Sequence, residues 1–261
     1  MKIIILKLNK IIGIFLVIFT ISLIFLLTGK EKEFKVAVEL KKNSCNIEED
    51  NKKVAYLTFD DGPSLSVTPK ILEILRKEDV KATFFVVGKN VDRYPEIVKQ
   101  EYEEGHYIAN HGYSHNNKIL YKNRESFIKE IKMTDEAIGR AVGVENYCSK
   151  IFRFPNGYMS KINKREKRIA VDILKELNYV YVDWNCLNND SMKKYTKRQL
   201  LENLKKTSKN KEELIILMHD TNDVSDSSEA LEGSIQYLKQ EGYEFRNFYN
   251  SSMWEFCEFI V

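Results

Sequence analysis

The chain has 261 residues, of which 43% are hydrophobic and 30% charged, with only 11 glycines and 4 prolines. This composition is typical of an ordered globular protein and excludes collagen-like, low-complexity and wholly disordered chains. The net charge of +3 misleads, because the first 30 residues hold four lysines and no acid, whereas residues 31–261 carry 37 basic and 38 acidic side chains. Without a basic surplus, no nucleic-acid partner is expected.

The N-terminal segment contains an uncharged run of 19 residues from Ile11 to Gly29, preceded by three lysines. At about 1.5 Å per residue, this run is long enough to cross a hydrocarbon core of about 30 Å. A cleavable signal peptide has a shorter apolar region and a small-residue cleavage site, which this sequence lacks. We therefore predict that residues 1–29 form a single-pass anchor in the cell membrane, with the rest outside the cytoplasm; if the segment were cleaved, the protein would be secreted.

The charged residues 30–53 are predicted to form a stalk, and residues 54–261 one folded domain. In this domain, β-rich runs alternate with amphipathic runs. Strands are predicted at 54–59, 82–87, 106–110, 150–154, 179–184, 213–219 and 243–248. Helices are predicted at 69–77, 91–104, 123–141, 162–177, 197–209 and 227–241. The alternation predicts right-handed βαβ units and a mainly parallel sheet, either open or closed into a barrel, with the functional site at the carboxyl ends of the strands.

The first strand, 54–59, runs directly into a DDGP segment at 60–63. Two adjacent carboxylates repel each other, so a cationic group is expected nearby. Taken alone, the segment also fits an ordinary turn, because Asp, Gly and Pro all favour turns.

Two of the four histidines, His111 and His115, lie four residues apart after the strand at 106–110. If this stretch forms one helical turn, both imidazoles face the same way, a spacing that suits a divalent metal ion. Such a pair alone is as compatible with a surface coincidence. An aspartate from the first strand end would complete the three-ligand, open site of a catalytic zinc ion.

Three further strand ends carry polar residues. Arg153 precedes a Pro-Asn-Gly turn, where it could hold a carboxylate in a fixed orientation or simply lie at the surface. Asp183 and Trp184 end the fifth predicted strand, and His219 ends the sixth. Because five strand ends deliver such residues to one edge of the sheet, the sequence predicts a functional site there.

Five segments of the sequence together resemble a known family. They occur in the order and approximate spacing of the five motifs of the polysaccharide deacetylases, the NodB-homology family of carbohydrate esterases. The segments are TFDDG at 58–62, HGYSH at 111–115, RFPNG at 153–157, DW at 183–184 and LMH at 217–219. The resemblance covers about residues 54–245 and implies a distorted (β/α)7-type barrel, which decides between the two sheet types.

The resemblance also implies the chemistry of the predicted site. Asp61, His111 and His115 would bind a divalent metal ion, usually zinc, and Asp60 would be the general base. A zinc ion lowers the pKa of water to about 7 and polarises the acetyl carbonyl, as amide hydrolysis requires. Arg153 would orient Asp60.

The remaining site residues are assigned by the same resemblance. His219 would protonate the departing sugar amine, and Asp183 would fix the tautomer of this histidine. The backbone N–H of Asn156 would face the developing oxyanion. Trp184 and Leu217 would form the apolar wall that receives the acetyl methyl group.

Two positions depart from the family pattern. Gly112 replaces the usual serine or threonine after the first metal-binding histidine, which could loosen the geometry of the metal site. Asn156 replaces a common aromatic residue, which could alter contacts with the sugar. Neither change removes a catalytic group, so we expect an active enzyme.

The resemblance implies a monomeric, membrane-anchored N-deacetylase of an acetylated cell-surface polysaccharide, with peptidoglycan as the favoured substrate. An enzyme acting on chitin oligomers, xylan or an exopolysaccharide is the enzymatic alternative. A non-catalytic, wall-binding membrane protein with a degenerate metal site is the non-enzymatic one.

Overall fold

The computed structural model describes residues 52–191, 195–221 and 227–249. The predicted anchor and nearly all of the predicted stalk lie outside these ranges. Among the described residues, no helix is both long enough and apolar enough to cross a membrane.

All strand pairs of the described residues are parallel, as predicted. The strands are β1 (Lys53–Asp60), β2 (Thr83–Val86), β3 (Tyr107–Asn110), β4 (Ile151–Phe152), β5 (Val180–Tyr181), β6 (Cys186–Leu187), β7 (Glu213–His219) and β8 (Tyr243–Arg246). Their order is β5-β4-β3-β2-β1-β7-β6, and β8 pairs with the start of β1. This seven-strand path curls into a half-barrel, which fits the predicted distorted (β/α)7 barrel.

Helices connect most of the strands. They are α1 (Thr68–Lys77), α2 (Gly88–Arg93), α3 (Pro95–Glu103), α4 (Asn117–Leu120), α5 (Arg124–Val142), α6 (Lys164–Glu176), α7 (Lys197–Ser208) and α8 (Ser227–Gln240). Local sequence fixes several ends. The side chain of Asn123 accepts a hydrogen bond from the backbone of Ser126 at the start of α5, and Gly143 ends that helix in the left-handed conformation at φ +72°.

The alternation of side chains along the strands separates two apolar layers. In β1, Ala55, Leu57 and Phe59 face the helices, where they join the largest apolar cluster. Tyr56 points the other way, into the interior of the half-barrel, where it packs with Phe85, Tyr107, Ile151, Ile215 and Phe248. Because Asp60 has the parity of Tyr56, the same alternation aims its carboxylate at the interior face.

The segment 182–185 joins the two edges of the curled sheet. Val182 N donates to Phe152 O at one edge, and Asn185 N donates to Ile215 O at the other. The two edges are thus connected by four residues of chain instead of a continuous ladder of strand pairs. We call this crossing segment, 182–185, the seam.

Several predicted elements differ from the structure. The predicted helix 91–104 is two helices, α2 and α3, because Tyr94 has non-helical backbone angles (φ −134°, ψ 55°) and Pro95, which lacks an N–H, begins a new helix. The strands predicted at 150–154 and 179–184 are only two residues long in β4 and β5. The strand β6 and the short helix α4 were not predicted.

Candidate active site

The predicted site residues come from neighbouring strand ends at one edge of the sheet. Asp60 ends β1, and His219 ends β7 directly beside it in the strand register. His111 follows β3, and Arg153 follows β4. Because all these strands are parallel, their carboxyl ends lie at the same edge, as the sequence predicted.

Asp61, His111 and His115 converge on one point. Asp61 Oδ1 lies 3.3 Å from Nε2 of His111 and 3.0 Å from Nε2 of His115. The three ligand atoms all lie within 4.8 Å of one another. Two ligands at about 2.1 Å from a tetrahedral ion are about 3.4 Å apart, so this spacing fits a zinc-sized cation.

The tautomer of His111 supports a cation at this point. Its Nδ1 lies 2.8 Å from the backbone oxygen of Arg153, and a carbonyl oxygen only accepts, so Nδ1 carries the proton. In the neutral ring, Nε2 then presents a lone pair to Asp61 Oδ1, a buried oxygen without a hydrogen-bond donor. Lone pairs that face one another at this distance are stabilised by a shared cation, so the residues present fit a divalent metal ion.

Charge interactions among Asp61, His111 and His115 shift the pKa values of Asp61 and His115. Burial alone would raise the pKa of Asp61, but the adjacent His111 and His115 outweigh burial and hold the pKa well below its usual range. Burial likewise opposes charge on His115, whereas Asp61 and then Asp60 raise its pKa. The negative charge that favours a proton on His115 also favours a cation bound at the same place.

The two histidines do not lie on a helical turn, in contrast to the prediction. The segment between them is a loop in which Gly112 has φ +80° and His115 has φ +51°. Glu130 of α5 holds this loop: its Oε2 accepts from Ser114 Oγ and Ser114 N, each at 2.8 Å, and from Tyr113 N at 3.1 Å. The left-handed backbone at position 112 favours glycine, which accounts for this departure from the family pattern.

Arg153, which the family resemblance placed beside Asp60, hydrogen-bonds to it in the structure. Its Nη1 donates to Asp60 Oδ1 at 2.8 Å and to Thr58 Oγ1 at 2.6 Å. Its Nε donates to Val182 O at 2.9 Å, and its Nη2 to Asp183 O at 3.3 Å, so the guanidinium also hydrogen-bonds to the seam. Because the side chain of Arg153 is fully buried, Asp60 Oδ1 is fixed and Oδ2 is the oxygen left for chemistry.

His219 is held by Asp190. Its Nδ1 lies 2.8 Å from Asp190 Oδ1, and its backbone N donates to Asp190 Oδ2 at 2.8 Å. Burial alone would lower the pKa of His219, but the hydrogen bond and charge of Asp190 outweigh burial and raise the pKa to about 9. The imidazolium is therefore the main form at neutral pH, with Nε2 as the nitrogen that can donate.

The prediction that Asp183 fixes His219 is therefore wrong. The carboxylate of Asp183 accepts backbone hydrogen bonds from Tyr158 at 2.9 Å and from Met159 at 3.1 Å. Asp190 was missed because it lies in a polar run, LNNDS, without periodicity. The available signal was an acidic residue in an Asx turn, in which Asn188 Oδ1 accepts from Asp190 N.

The predicted substrate-contacting residues lie at the same edge of the sheet. Leu217 precedes His219 by two residues, so both side chains share one face of β7. Trp184 lies in the seam, with Arg153 over its ring at 5.7 Å. Asn156 is exposed in the loop after Arg153, with φ +66°. The hydrogen bonds and contacts described here do not join Trp184 to Leu217.

A family model and a known protein that match this chain are both polysaccharide deacetylases. A family model described as polysaccharide deacetylase matches residues 47–182. A peptidoglycan-N-acetylglucosamine deacetylase from Bacillus cereus is 36% identical over 208 residues, which cover 77% of this chain and 71% of that protein.

Solved structures agree in fold. The catalytic domain of a peptidoglycan N-acetylglucosamine deacetylase from Eubacterium rectale superposes with a TM-score of 0.69 at 29% identity, covering 77% of this chain and 90% of that one. The polysaccharide deacetylase Bc1974 from Bacillus cereus gives a TM-score of 0.66 at 34% identity, covering 77% of this chain and 94% of that one.

Proposed function

Because the chain belongs to the polysaccharide deacetylase family and is an enzyme of that class, we propose that it removes N-acetyl groups from N-acetylglucosamine residues of peptidoglycan. The observation that carries this proposal is the convergence at one sheet edge of three metal-ligand atoms, the Asp60–Arg153 pair and the His219–Asp190 pair. Amide hydrolysis needs these three kinds of group together: an electrophilic activator, a base and an acid.

The base in this scheme is Asp60. A divalent cation such as Zn²⁺, held by Asp61, His111 and His115, supplies Lewis acidity that polarises the acetyl carbonyl and makes water more acidic. Asp60 Oδ1 is held by Arg153, so Oδ2 accepts a proton from the water molecule that adds to the carbonyl carbon. The backbone N–H of Asn156 faces the oxygen on which negative charge develops.

The acid is His219. Its Nδ1 is engaged by Asp190, so Nε2 delivers a proton to the amide nitrogen as the carbon–nitrogen bond breaks. Acetate and a free sugar amine are released, Asp60 returns its proton to solvent, and His219 is reprotonated. Trp184 and Leu217 provide the apolar wall for the acetyl methyl group.

The test is acetate release by the purified full-length chain, supplied with Zn²⁺ and incubated with peptidoglycan. We expect release that stops on addition of a chelator and returns with added Zn²⁺. Asp60→Asn and His219→Ala are each expected to lower the rate by at least about 100-fold, the usual effect of a positioned acid or base. Glu176→Gln, which changes only an exposed pair with Arg124, is the matched control and should retain the rate.

The substrate is tested in the same assay. Chitin oligomers, acetylated xylan and an acetylated exopolysaccharide replace peptidoglycan in parallel reactions. Faster acetate release from one of these polymers would show that peptidoglycan is not the preferred substrate, but the proposed deacetylase activity would stand. Binding to glycan without acetate release, with and without added metal, overturns the catalytic role.

The proposed location is the outer side of the cell membrane, with residues 1–29 as the anchor. The uncharged run of 19 residues supports it. Fractionation of cells that carry a C-terminal tag should find the full-length chain in the membrane, accessible to external protease. A shorter chain in the medium would identify a cleaved, secreted protein instead.

A further inference from the structure

The loop that carries Asn156 has an unusual backbone. Asn156 and Gly157 lie in succession at φ +66° and +74°, and Gly157 N closes a tight turn onto Phe154 O at 2.7 Å. We call residues 155–159 the Asn156 loop. Asparagine adopts the left-handed region more readily than most residues, and Pro155 before it favours such a turn, so the local sequence forms the turn and contacts from outside the loop fix its position.

The first support is the carboxylate of Asp183. Its two oxygens accept separately from the backbone N–H groups of Tyr158 at 2.9 Å and Met159 at 3.1 Å. Two hydrogen bonds from successive amides to one carboxylate fix both the position and the direction of the backbone. Asp183 is itself fixed, since its carbonyl oxygen accepts from the buried Arg153.

The second support is Lys167 on α6. Its side chain is fully buried, and its Nζ donates to the backbone oxygen of Gly157. Burial lowers the pKa of Lys167, whereas the charge of Asp183 raises it, so the two opposite charges lie within electrostatic reach. Burying a lysine costs free energy unless its charge has partners. Here the partners are the backbone oxygen of Gly157 and the negative charge of Asp183.

Trp184 lies against the same turn. A Cβ built on Gly157 would come within 2.7 Å of the edge of the indole ring. The turn is thus confined on three sides, by a carboxylate, an ammonium group and an aromatic ring.

We propose that Asp183 and Lys167 are positioning residues that clamp the Asn156 loop, so that the backbone N–H of Asn156 is held where the oxyanion develops. The inference rests on the proposed function, because it concerns the geometry of that reaction. It gives Asp183 a role in place of the contact with His219 that the sequence suggested.

The clamp predicts a particular kinetic pattern. The oxyanion exists only in the transition state and the intermediate, so loosening its donor lowers kcat with little change in KM. A displacement of about 1 Å can cost about 100-fold in rate. We therefore expect Asp183→Ala to lower kcat about 10- to 100-fold and Lys167→Met about 10-fold. Asp183→Asn, which keeps one acceptor oxygen, and Lys167→Arg, which keeps a donor, should recover part of the loss.

The experiment measures kcat and KM for the full-length chain and these variants, and amide hydrogen exchange of the peptide that covers 155–159. Asn247→Ala is the matched control: this buried side chain donates to Gly105 O and accepts from Tyr249 N, remote from the loop. It should lower thermal stability without changing kcat. Zinc affinity should be unchanged in the clamp variants, because Asp183 and Lys167 contact none of the three metal ligands in the described hydrogen bonds.

Three results overturn the clamp: an unchanged kcat, a rise in KM at constant kcat, or equal exchange of the loop peptide in the wild type and Asp183→Ala. A loss of kcat that the conservative variants do not reduce also contradicts it. A wild-type chain that releases no acetate overturns the proposed function instead, and hydrogen exchange then still decides whether the clamp exists.

Discussion

The protonation state of His219 depends chiefly on the carboxylate of Asp190, with smaller contributions from Asp60 and Asp61. Burial disfavours the imidazolium, yet the hydrogen bond and charge of Asp190 raise the pKa of His219 to about 9. The proposed general acid must hold its proton when the leaving amine needs it, and this pairing keeps the acid form of His219 available through neutral pH.

We predict that Asp190→Asn moves the alkaline limb of the pH dependence of kcat/KM to lower pH. The amide removes the negative charge that raises the pKa of His219, so the imidazole loses its proton earlier as the pH rises. The measurement is the rate of acetate release between pH 6 and 10.

Asp183→Asn is the control for this prediction. It removes the charge of the carboxylate that the family resemblance had placed beside His219, and it should leave the position of the alkaline limb unchanged. The pairing of His219 with Asp190 would be contradicted if Asp183→Asn moved the alkaline limb and Asp190→Asn did not.

The sequence predicted the positions of the site residues better than their partners. Asp60, His111 and His219 each end or follow a strand of at least four residues, whereas Arg153 follows the two-residue β4 and was singled out by the Pro-Asn-Gly turn after it. Asp190 reaches His219 only through the fold, from a polar loop 29 residues away in sequence. No periodic pattern encodes such a contact, because it depends on how a loop bends back over the sheet.

The element that shapes the proposed metal site is the loop between β3 and α4. The helix α5 stabilises it through Glu130, which accepts three hydrogen bonds from Tyr113 and Ser114. These contacts set the separation of His111 and His115 without touching either imidazole. Outer contacts of this kind are usually worth about 10- to 100-fold in metal affinity.

We predict that Glu130→Gln weakens Zn²⁺ binding about 10-fold. All three hydrogen bonds go to Oε2, and a neutral amide oxygen at that place accepts them more weakly than a charged carboxylate does. Competition with a chromogenic chelator measures the affinity. Glu136→Gln, an exposed position on the same helix, should bind Zn²⁺ as the wild type does, and equal affinity of the two variants would contradict the role of Glu130.

Long elements were predictable, and short ones were not. The strand β7 matches its prediction at both ends because seven apolar-rich residues give a clear signal. The strands β4, β5 and β6 have two residues each, too few for any period to appear. The metal-binding loop was expected to be helical because a spacing of four fits one helical turn, but Gly112 and His115 adopt left-handed conformations instead.

Across the whole molecule, stability responds to pH through buried histidines. His106 is buried, its Nδ1 accepts from Ala82 N at 3.1 Å, and burial lowers its pKa to about 4. In the unfolded chain a histidine has a pKa of about 6.5. Between these two values the unfolded state binds more protons, so the free energy of unfolding falls as the pH drops from about 6.5 to about 4.

We predict that His106→Asn flattens this pH dependence. The asparagine keeps an acceptor near Ala82 N but does not titrate. The variant should therefore lack the fall in unfolding free energy, on the order of 3 kcal/mol, that His106 causes across that range. Urea unfolding in the presence of a chelator, at several values between pH 4 and 7, gives the unfolding free energy of the wild type and the variant against pH. The variant should be less stable at pH 7 and should lose less stability on acidification, and parallel curves would contradict the assignment.

At this scale the sequence predicted the parallel class, and the family resemblance predicted the barrel. The seam could not be predicted, because its closure depends on how far the sheet curls. Arg153 bridges from Asp60 to the carbonyl oxygens of Val182 and Asp183 across this gap. One buried side chain therefore both holds the proposed base and connects the first strand to the seam.

The central position of β1 has a consequence for biosynthesis. The start of this first strand, Lys53–Tyr56, pairs with β8 on the side where β2 also lies. The opposite side pairs with β7, where Thr58 Oγ1 donates to Ile216 O, 158 residues later. During translation that side of β1 stays an open edge until almost the whole polypeptide has left the ribosome, and open edges invite wrong partners. We expect the sheet of the nascent chain to remain incompletely folded until β7 has been synthesised. A ribosome stalled before residue 213 should therefore hold an aggregation-prone intermediate.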